Sequence, residues 1–145
     1  EVLVEPGSAV AWQTGVLLSR VMDIIPREPY PIAILDVSFS AHIPDTLEMP
    51  YNPKIRGASM PISGKPTYTL GGISCLAGDY LSAYSFDQEL KVGDRLIIED
   101  MIHYTMVKTT MFNGVKHPSI AIQRKDKSIE IIRNFTYEDY KSRLS

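Results

Sequence analysis

The sequence predicts a mainly β protein, a mixed or antiparallel barrel or sandwich entered through a single strand–helix step. Three observations carry this. From about Pro31 onward, short β-rich runs recur between Gly, Pro and charged turns. Ahead of them, apolar residues at roughly helical spacing follow one strand-like run. Finally, 145 residues, 44% hydrophobic and 22% charged, are enough for one domain with a substantial core.

The elements follow in order. "EVLVE" (1–5) is an apolar run of strand type, broken by "PGS". "AVAWQTGVLLSRVMDII" then places Val10, Leu17, Leu18, Val21, Ile24 and Ile25 at helical intervals, with Ser8 as N-cap and Pro26 as the stop. Residues 1–27 thus read as one βα unit of the kind that builds parallel sheets, incomplete alone because a parallel strand needs a partner. Residues 28–145 read as the β-barrel. "PIAILDVSF", "GKPTYTLGGISC" and "VGDRLIIEDM" are strands, the last alternating Arg95/Ile97/Glu99 with Leu96/Ile98/Asp100. "YTMVKTTMF" is a further strand, with Tyr104, Met106, Lys108, Thr110 and Phe112 on one face, ended by the hairpin signal Asn113-Gly114. "SIAIQR" and "SIEIIRNF" are joined by the turn "KDK", and "TYEDYKSRLS" is a short helix capped by Thr136.

Composition narrows the function. A net charge of -2 gives no electrostatic footprint for nucleic acid or an anionic membrane. No apolar run is long enough to span a bilayer, and there is no signal-peptide pattern. A single cysteine makes no internal disulfide, which fits a reducing cytoplasm. Three separated histidines and that cysteine give no metal-ligand spacing.

Four stretches carry candidate chemistry. "EPGSA" sits where a strand turns into a helix, a natural anion site through free N–H groups, or a plain turn. "CLAGD" holds the only thiol, Cys75, in a turn four residues ahead of Asp79. Tyr104 and Phe112 either donate to and wall a pocket or simply fill the barrel. "LDVSFSAHIPDTLEMPY" gathers Asp36, His42, Asp45 and Glu48, which suit a cationic ligand such as a polyamine or are solvated loop groups.

Taken in order, "EPGSA", "LDVSFSAHIPDTLEMPY", "CLAGDYL", "LKVGDRLIIEDMIHYTMVKTTMFNG" and "PSIAI" resemble the C-terminal portion of a fold-type III pyridoxal-phosphate decarboxylase, over nearly the whole chain. The resemblance is nearest to the decarboxylases of carboxynorspermidine and carboxyspermidine, enzymes of spermidine and norspermidine biosynthesis. It implies an N-terminal (β/α)8 barrel, of which "EVLVEPGS" and its helix would be the last unit, joined to this C-terminal β-barrel domain. The lysine that carries pyridoxal 5'-phosphate lies in that α/β barrel, outside these residues. Lys108 is on the wrong strand to replace it, so this chain alone is expected to be inactive.

The resemblance also implies residue roles. Glu5 and Gly7 lie at the phosphate and substrate end of the α/β barrel, and Tyr104 reaches the cofactor phosphate. Cys75 enters the neighbouring subunit's active site and assists protonation after CO2 departs, with Asp79 closing its loop; shared sites imply a homodimer. Phe112 walls the substrate pocket, while Asp36, His42 and Asp45 contact the substrate's amino groups. Relatives acting on ornithine or diaminopimelate carry an acid directly after the cysteine. Leu76 here leaves room for an apolar stem, worth about 1.5–3 kcal/mol when buried, and favours a longer polyamine substrate. The alternatives are a decarboxylase of a shorter diamino acid and a non-catalytic β-barrel that binds a ligand.

Overall fold

The computed structural model describes residues 1–144, apart from the side chain of Ser8. Residues 1–6 have no regular structure, and Val2, Leu3 and Val4 are exposed. The strand expected over "EVLVE" is not formed, because a ladder needs a partner and no described strand pairs with it. Helix α1 (Gly7–Ala11) is capped by Pro6, so Ser8 lies inside it. The helix ends at Ala11, and the residues expected to continue it form a ten-residue strand, β1 (Val16–Ile25). A β-bulge explains the misreading. Up to Val21 the more buried residues of β1 are Leu17, Ser19 and Val21; past an irregularity between Val21 and Asp23 the more buried residue is Ile24. One inserted residue flips the parity of a strand. Leu17, Val21 and Ile24 therefore show helical spacing on an extended backbone.

The later elements follow the expected order more closely. "PIAILDVSF" supplies β2 (Ile32–Leu35), but its end turns into α2 (Phe39–His42), where the Ser38 hydroxyl caps the helix by accepting from Ala41 N. A single turn, α3 (Asp45–Glu48), and the two-residue β3 (Ala58–Ser59) precede β4 (Thr67–Gly71), β5 (Tyr80–Phe86) and β6 (Arg95–Glu99). In β6 the alternation holds, with Leu96 and Ile98 buried.

The strand expected over "YTMVKTTMF" is absent. Tyr104–Val107 is a helical turn, α4, and Phe112–Gly114 a 3-10 turn, so Asn113-Gly114 closes no hairpin. Threonines satisfy the backbone locally instead: Thr109 Oγ1 donates to Met106 O, and Thr110 Oγ1 accepts from Phe112 N. Beyond it β7 (Ile120–Gln123) and β8 (Ile129–Arg133) form the expected hairpin. Helix α5 (Tyr137–Lys141) carries a capping box between Thr136 and Asp139.

The main sheet has the order β3-β5-β4-β2-β1-β6, with only β2 and β4 parallel. Its ends are stitched together by residues 54–59. Ile55 bridges Ile98, Glu99 N donates to Lys54 O at 2.8 Å, and Ala58–Ser59 pairs with β5. The result is a curled, barrel-like sheet, as the mainly β expectation requires. Val21, Leu35, Phe39, Ile43, Leu70 and Ile98 fill its interior with almost no exposed surface. The β7–β8 hairpin stands apart as a two-stranded sheet, with Ile129, Ile131 and Ile132 exposed.

This division predicts unequal mutational costs. Ile98→Ala leaves a core cavity at a strand pairing with both β1 and Ile55, and should cost about 2–5 kcal/mol in urea denaturation. Ile131→Ala should cost no more than about 0.5 kcal/mol.

Candidate functional site

A concavity of about 1370 Å³ opens between the entry to β1, the loop after α3 and the segment joining β6 to α4. Its floor is pinned by two residues in the left-handed region, Gln13 (φ 57°) and Asp100 (φ 62°). Gln13 N donates to Asp100 Oδ1 at 2.8 Å, tying the two turns together. Such a conformation costs a non-glycine residue free energy and persists where its surroundings enforce it. His103 Nε2 lies 3.4 Å from Asp100 Oδ1, within ion-pair range but without hydrogen-bond geometry.

Asp45 and Tyr104, expected from sequence to contact substrate and cofactor, both line this concavity. Tyr104 begins α4 and is 61% exposed. Asp45 begins α3, and its Oδ2 accepts from Tyr51 Oη at 2.7 Å and from Thr105 Oγ1 at 3.3 Å. Burial, with the Asp45 carboxylate alongside, pushes the Tyr51 phenol well above its ordinary pKa, so it stays a donor. A second clamp joins the same helices, an ion pair between Glu48 and Lys108. Lys108 is thus held by a carboxylate.

Cys75 is elsewhere. Its exposed thiol meets the Asn113 side chain, with Nδ2 at 3.3 Å and Oδ1 at 3.5 Å from Sγ. Phe112, 49% exposed, is the residue before Asn113. The loop rests on Asp79, only 5% exposed. Its Oδ2 accepts from Ser74 N at 2.9 Å and Ser74 Oγ at 2.6 Å, and its Oδ1 from Ser40 N at 3.0 Å. Burial alone would raise this carboxyl's pKa, but the hydrogen bonds from Ser74 and Ser40 outweigh it and hold the acid below its ordinary range. Gly72 must lack a side chain, since a Cβ there would lie 2.4 Å from the Asp79 carboxylate.

The remaining expected residues do not join either group. Asp36 accepts from Ser19 Oγ at 2.9 Å and Arg20 N at 2.8 Å, bracing β1 against β2. His42, 3% exposed, accepts from Ser38 N on Nδ1 and faces His117 at a ring separation of 6.4 Å. Desolvation, and then the neighbouring His117, lower its pKa to about 4, so it is neutral at pH 7. Glu5 and Gly7 are exposed and outside the concavity lining. Sequence reasoning missed Trp12, Tyr51, Asp100, Thr105 and Asn113. Asn113 did carry a signal in its Asn-Gly pair, which was read as a hairpin.

A family model described as "Pyridoxal-dependent decarboxylase, C-terminal sheet domain" matches residues 9–102. The chain belongs to this decarboxylase family. Carboxyaminopropylagmatine decarboxylase of Synechocystis is 61% identical over 98% of the chain, and carboxynorspermidine/carboxyspermidine decarboxylase of Campylobacter jejuni is 42% identical over 99%. Among solved structures, carboxynorspermidine decarboxylase from Campylobacter jejuni, complexed with norspermidine, superposes with a TM-score of 0.90 over 94% of the chain at 42% identity. The chain spans only 37% and 40% of the lengths of those two relatives, and 40% of that solved chain. No helix among the described residues is long and apolar enough to cross a membrane.

Two predictions follow from the buried titratable groups. Asp79 is depressed, so the stability it contributes is complete above the ordinary carboxylate pKa near 3.8 and is lost as pH falls through its lower folded value. At neutral pH, Asp79→Ala leaves Ser40 N and Ser74 N without their acceptor. It should cost about 1–3 kcal/mol, with faster amide exchange at Ser40 and Ser74. His42 is also depressed, from 6.5 to about 4, so the unfolded chain takes its proton first. Stability should therefore be full above pH 6.5 and fall by on the order of 3 kcal/mol as pH drops toward 4. His42→Asn should flatten the urea-midpoint profile between pH 6.5 and 5.

Proposed function

We propose that these residues are the C-terminal portion of a pyridoxal-phosphate-dependent carboxy-lyase of polyamine biosynthesis, acting on carboxynorspermidine or carboxyspermidine. The observation that carries the reading is the likeness over nearly the whole chain to relatives with those names, at 42% identity and a TM-score of 0.90. The 61% identity to a carboxyaminopropylagmatine decarboxylase favours a second substrate, one ending in a guanidinium. The three substrate names share a carboxylated end and a cationic chain.

Pyridoxal phosphate, when bound, supplies the electron sink that lets a carboxylate depart as CO2. The residues present fit its phosphate end: Tyr104 places an exposed phenol on the concavity, a donor suited to a phosphate oxygen. Helix α1 has five residues and no side-chain cap, so Glu5 and Gly7 would act through the turn they form. The lysine that carries the cofactor belongs to an N-terminal (β/α)8 barrel outside these residues. The exposed apolar run Val2–Leu3–Val4 supports packing against such a neighbour.

Cys75 gives its Sγ proton to the carbon that has lost CO2 and regains one from solvent. Asn113 orients the thiol, Asp79 holds its loop, and Phe112 walls the space beside it. Asp45 contacts the substrate's amino group, while Asp36 and His42 serve by bracing the loop between β2 and α3. Cys75 is outside the concavity that Tyr104 lines. That placement supports a reading in which the two residues serve different copies of the site in a cytoplasmic homodimer with closed two-fold symmetry.

The test is decarboxylation by the intact protein with carboxynorspermidine, carboxyspermidine, carboxyaminopropylagmatine, diaminopimelate and ornithine. Turnover of a polyamine substrate at least tenfold more efficient than of the two short ones is expected; the reverse order sinks the reading. Cys75→Ala should lower kcat about 10²–10⁴-fold with cofactor absorbance unchanged, whereas unaltered kinetics removes the thiol from the chemistry.

A further inference from the structure

We infer that His103, braced against Asp100, is the positioning residue that aims the Tyr104 phenol at the cofactor phosphate. The inference rests on the decarboxylase reading and deepens it, because that reading makes Tyr104 the donor to a phosphate oxygen. Tyr104 needs a support. Its side chain is 61% exposed, and among the described residues no hydrogen bond holds its phenol. The Lys108 ammonium acts on it through charge and is itself paired with Glu48. An exposed aromatic side chain loses rotational freedom when it engages a ligand, and a support present beforehand reduces that loss.

The support comes from the preceding residue. The rings of His103 and Tyr104 lie 6.2 Å apart at an interplanar angle of 81°, an edge-to-face arrangement within the attractive range for aromatic pairs. His103 is the more sheltered of the two, with a side chain 26% exposed. Its Nε2 is shielded from water and has no hydrogen-bond partner, and Asp100 Oδ1 lies 3.4 Å away. A carboxylate at that distance favours a proton on Nε2 over a lone pair, which biases the imidazole to one orientation.

Asp100 is fixed in turn. Its φ of 62° lies in the left-handed region, and its Oδ1 accepts from Gln13 N at 2.8 Å. The chain between Asp100 and His103 is pressed against the entry to β1, where a Cβ on Gly15 would come within 2.7 Å of Ile102 Cδ1. From the other side, Thr105 Oγ1 donates to Asp45 Oδ2 at 3.3 Å. The chain is therefore held on both sides of His103 and Tyr104, and the ring contact passes that rigidity to a side chain without a hydrogen-bonded anchor. Gln13, Asp100, His103 and Tyr104 all line the concavity, so the series of contacts ends facing the space where a ligand would be met.

The test is the cofactor affinity of the intact protein, titrated by absorbance with pyridoxal 5'-phosphate and with pyridoxal, which lacks the phosphate. His103→Ala should weaken pyridoxal 5'-phosphate about three- to tenfold, the reach of an edge-to-face pair, and leave pyridoxal within about twofold. His103→Gln, which keeps a donor for Asp100 but no ring, should lose as much. His103→Phe, which keeps a ring, should recover most of the affinity. In a Tyr104→Phe background, His103→Ala should cost less than about twofold, because the phenol it aims is already gone. Equal losses for both ligands, no loss, or the same loss with and without the phenol overturn the inference. Should the alanine variant not fold, the other two decide: the inference stands if glutamine alone loses phosphate-selective affinity and falls if phenylalanine loses as much. Wild-type protein that binds both ligands equally removes the phosphate role of Tyr104 and the inference with it, while turnover of carboxynorspermidine reports separately on the decarboxylase reading.

Discussion

The architecture depends on β1 having both edges occupied. Val16–Arg20 pairs with β6, and Val21–Ile25 with β2. One strand thereby connects β6 to the remaining four strands of the sheet. The bulge after Val21 lets a single strand serve both neighbours, since it re-aims the second half and adds local twist. Removing that pairing would leave the ladders of β6 and β2 unsatisfied and would free the turn at Gln13. The floor of the concavity is in this sense a product of the sheet's central constraint.

A second constraint acts at the other candidate group. Loops carry chemistry best when rigid elements hold them, and the "CLAGD" turn has little regular structure of its own. Asp79 compensates by accepting from both Ser40, on α2, and Ser74, in the turn itself. Gly72 N donates to Asp79 O at 2.7 Å, and Ile73 N to Val37 O at 3.1 Å, which close the loop onto the body. Asp79 is thus a buried acceptor that holds the loop, and the thiol lies exposed at the surface beside Asn113. That division fits proton delivery by one residue and positioning by the other.

What could be read from sequence follows from which signals are local. Alternation in "DRLIIE", the turn "KDK" and the cap at Thr136 report interactions within a few residues, and each element forms where expected. The helix drawn over Val10–Ile25 failed because a bulge is set by pairing with β2, which one strand's composition does not reveal. "YTMVKTTMF" failed for a different reason: its buried residues are Thr105 and Met111, off the expected face, and Thr105 is tied to Asp45 sixty positions earlier. Asp45 and Tyr104 were legible as separate motifs. Their shared concavity was not, since the ties of Asp100 to Gln13 and of Thr105 to Asp45 are long-range contacts that leave no periodic trace. Asp36 and His42 could not be resolved from sequence, because a polar residue in an apolar run looks the same whether it meets a ligand or, as these do, Ser19, Arg20 and Ser38.

The separation of the two groups carries the last step. A thiol that reprotonates a carbon must touch it, and a phenol that holds the cofactor phosphate must lie within a cofactor's length of that carbon. On this chain Cys75 faces Asn113, and Tyr104 faces the concavity floored by Gln13 and Asp100. Each group has its own anchor, the Asp79 contacts for the loop of Cys75 and the Asp45–Thr105 clamp for the helical turn of Tyr104. In the proposed homodimer a two-fold axis would let each copy give its thiol to the other's substrate with both anchors intact. The rigidity of the two anchors becomes, in the proposed dimer, what aligns the groups.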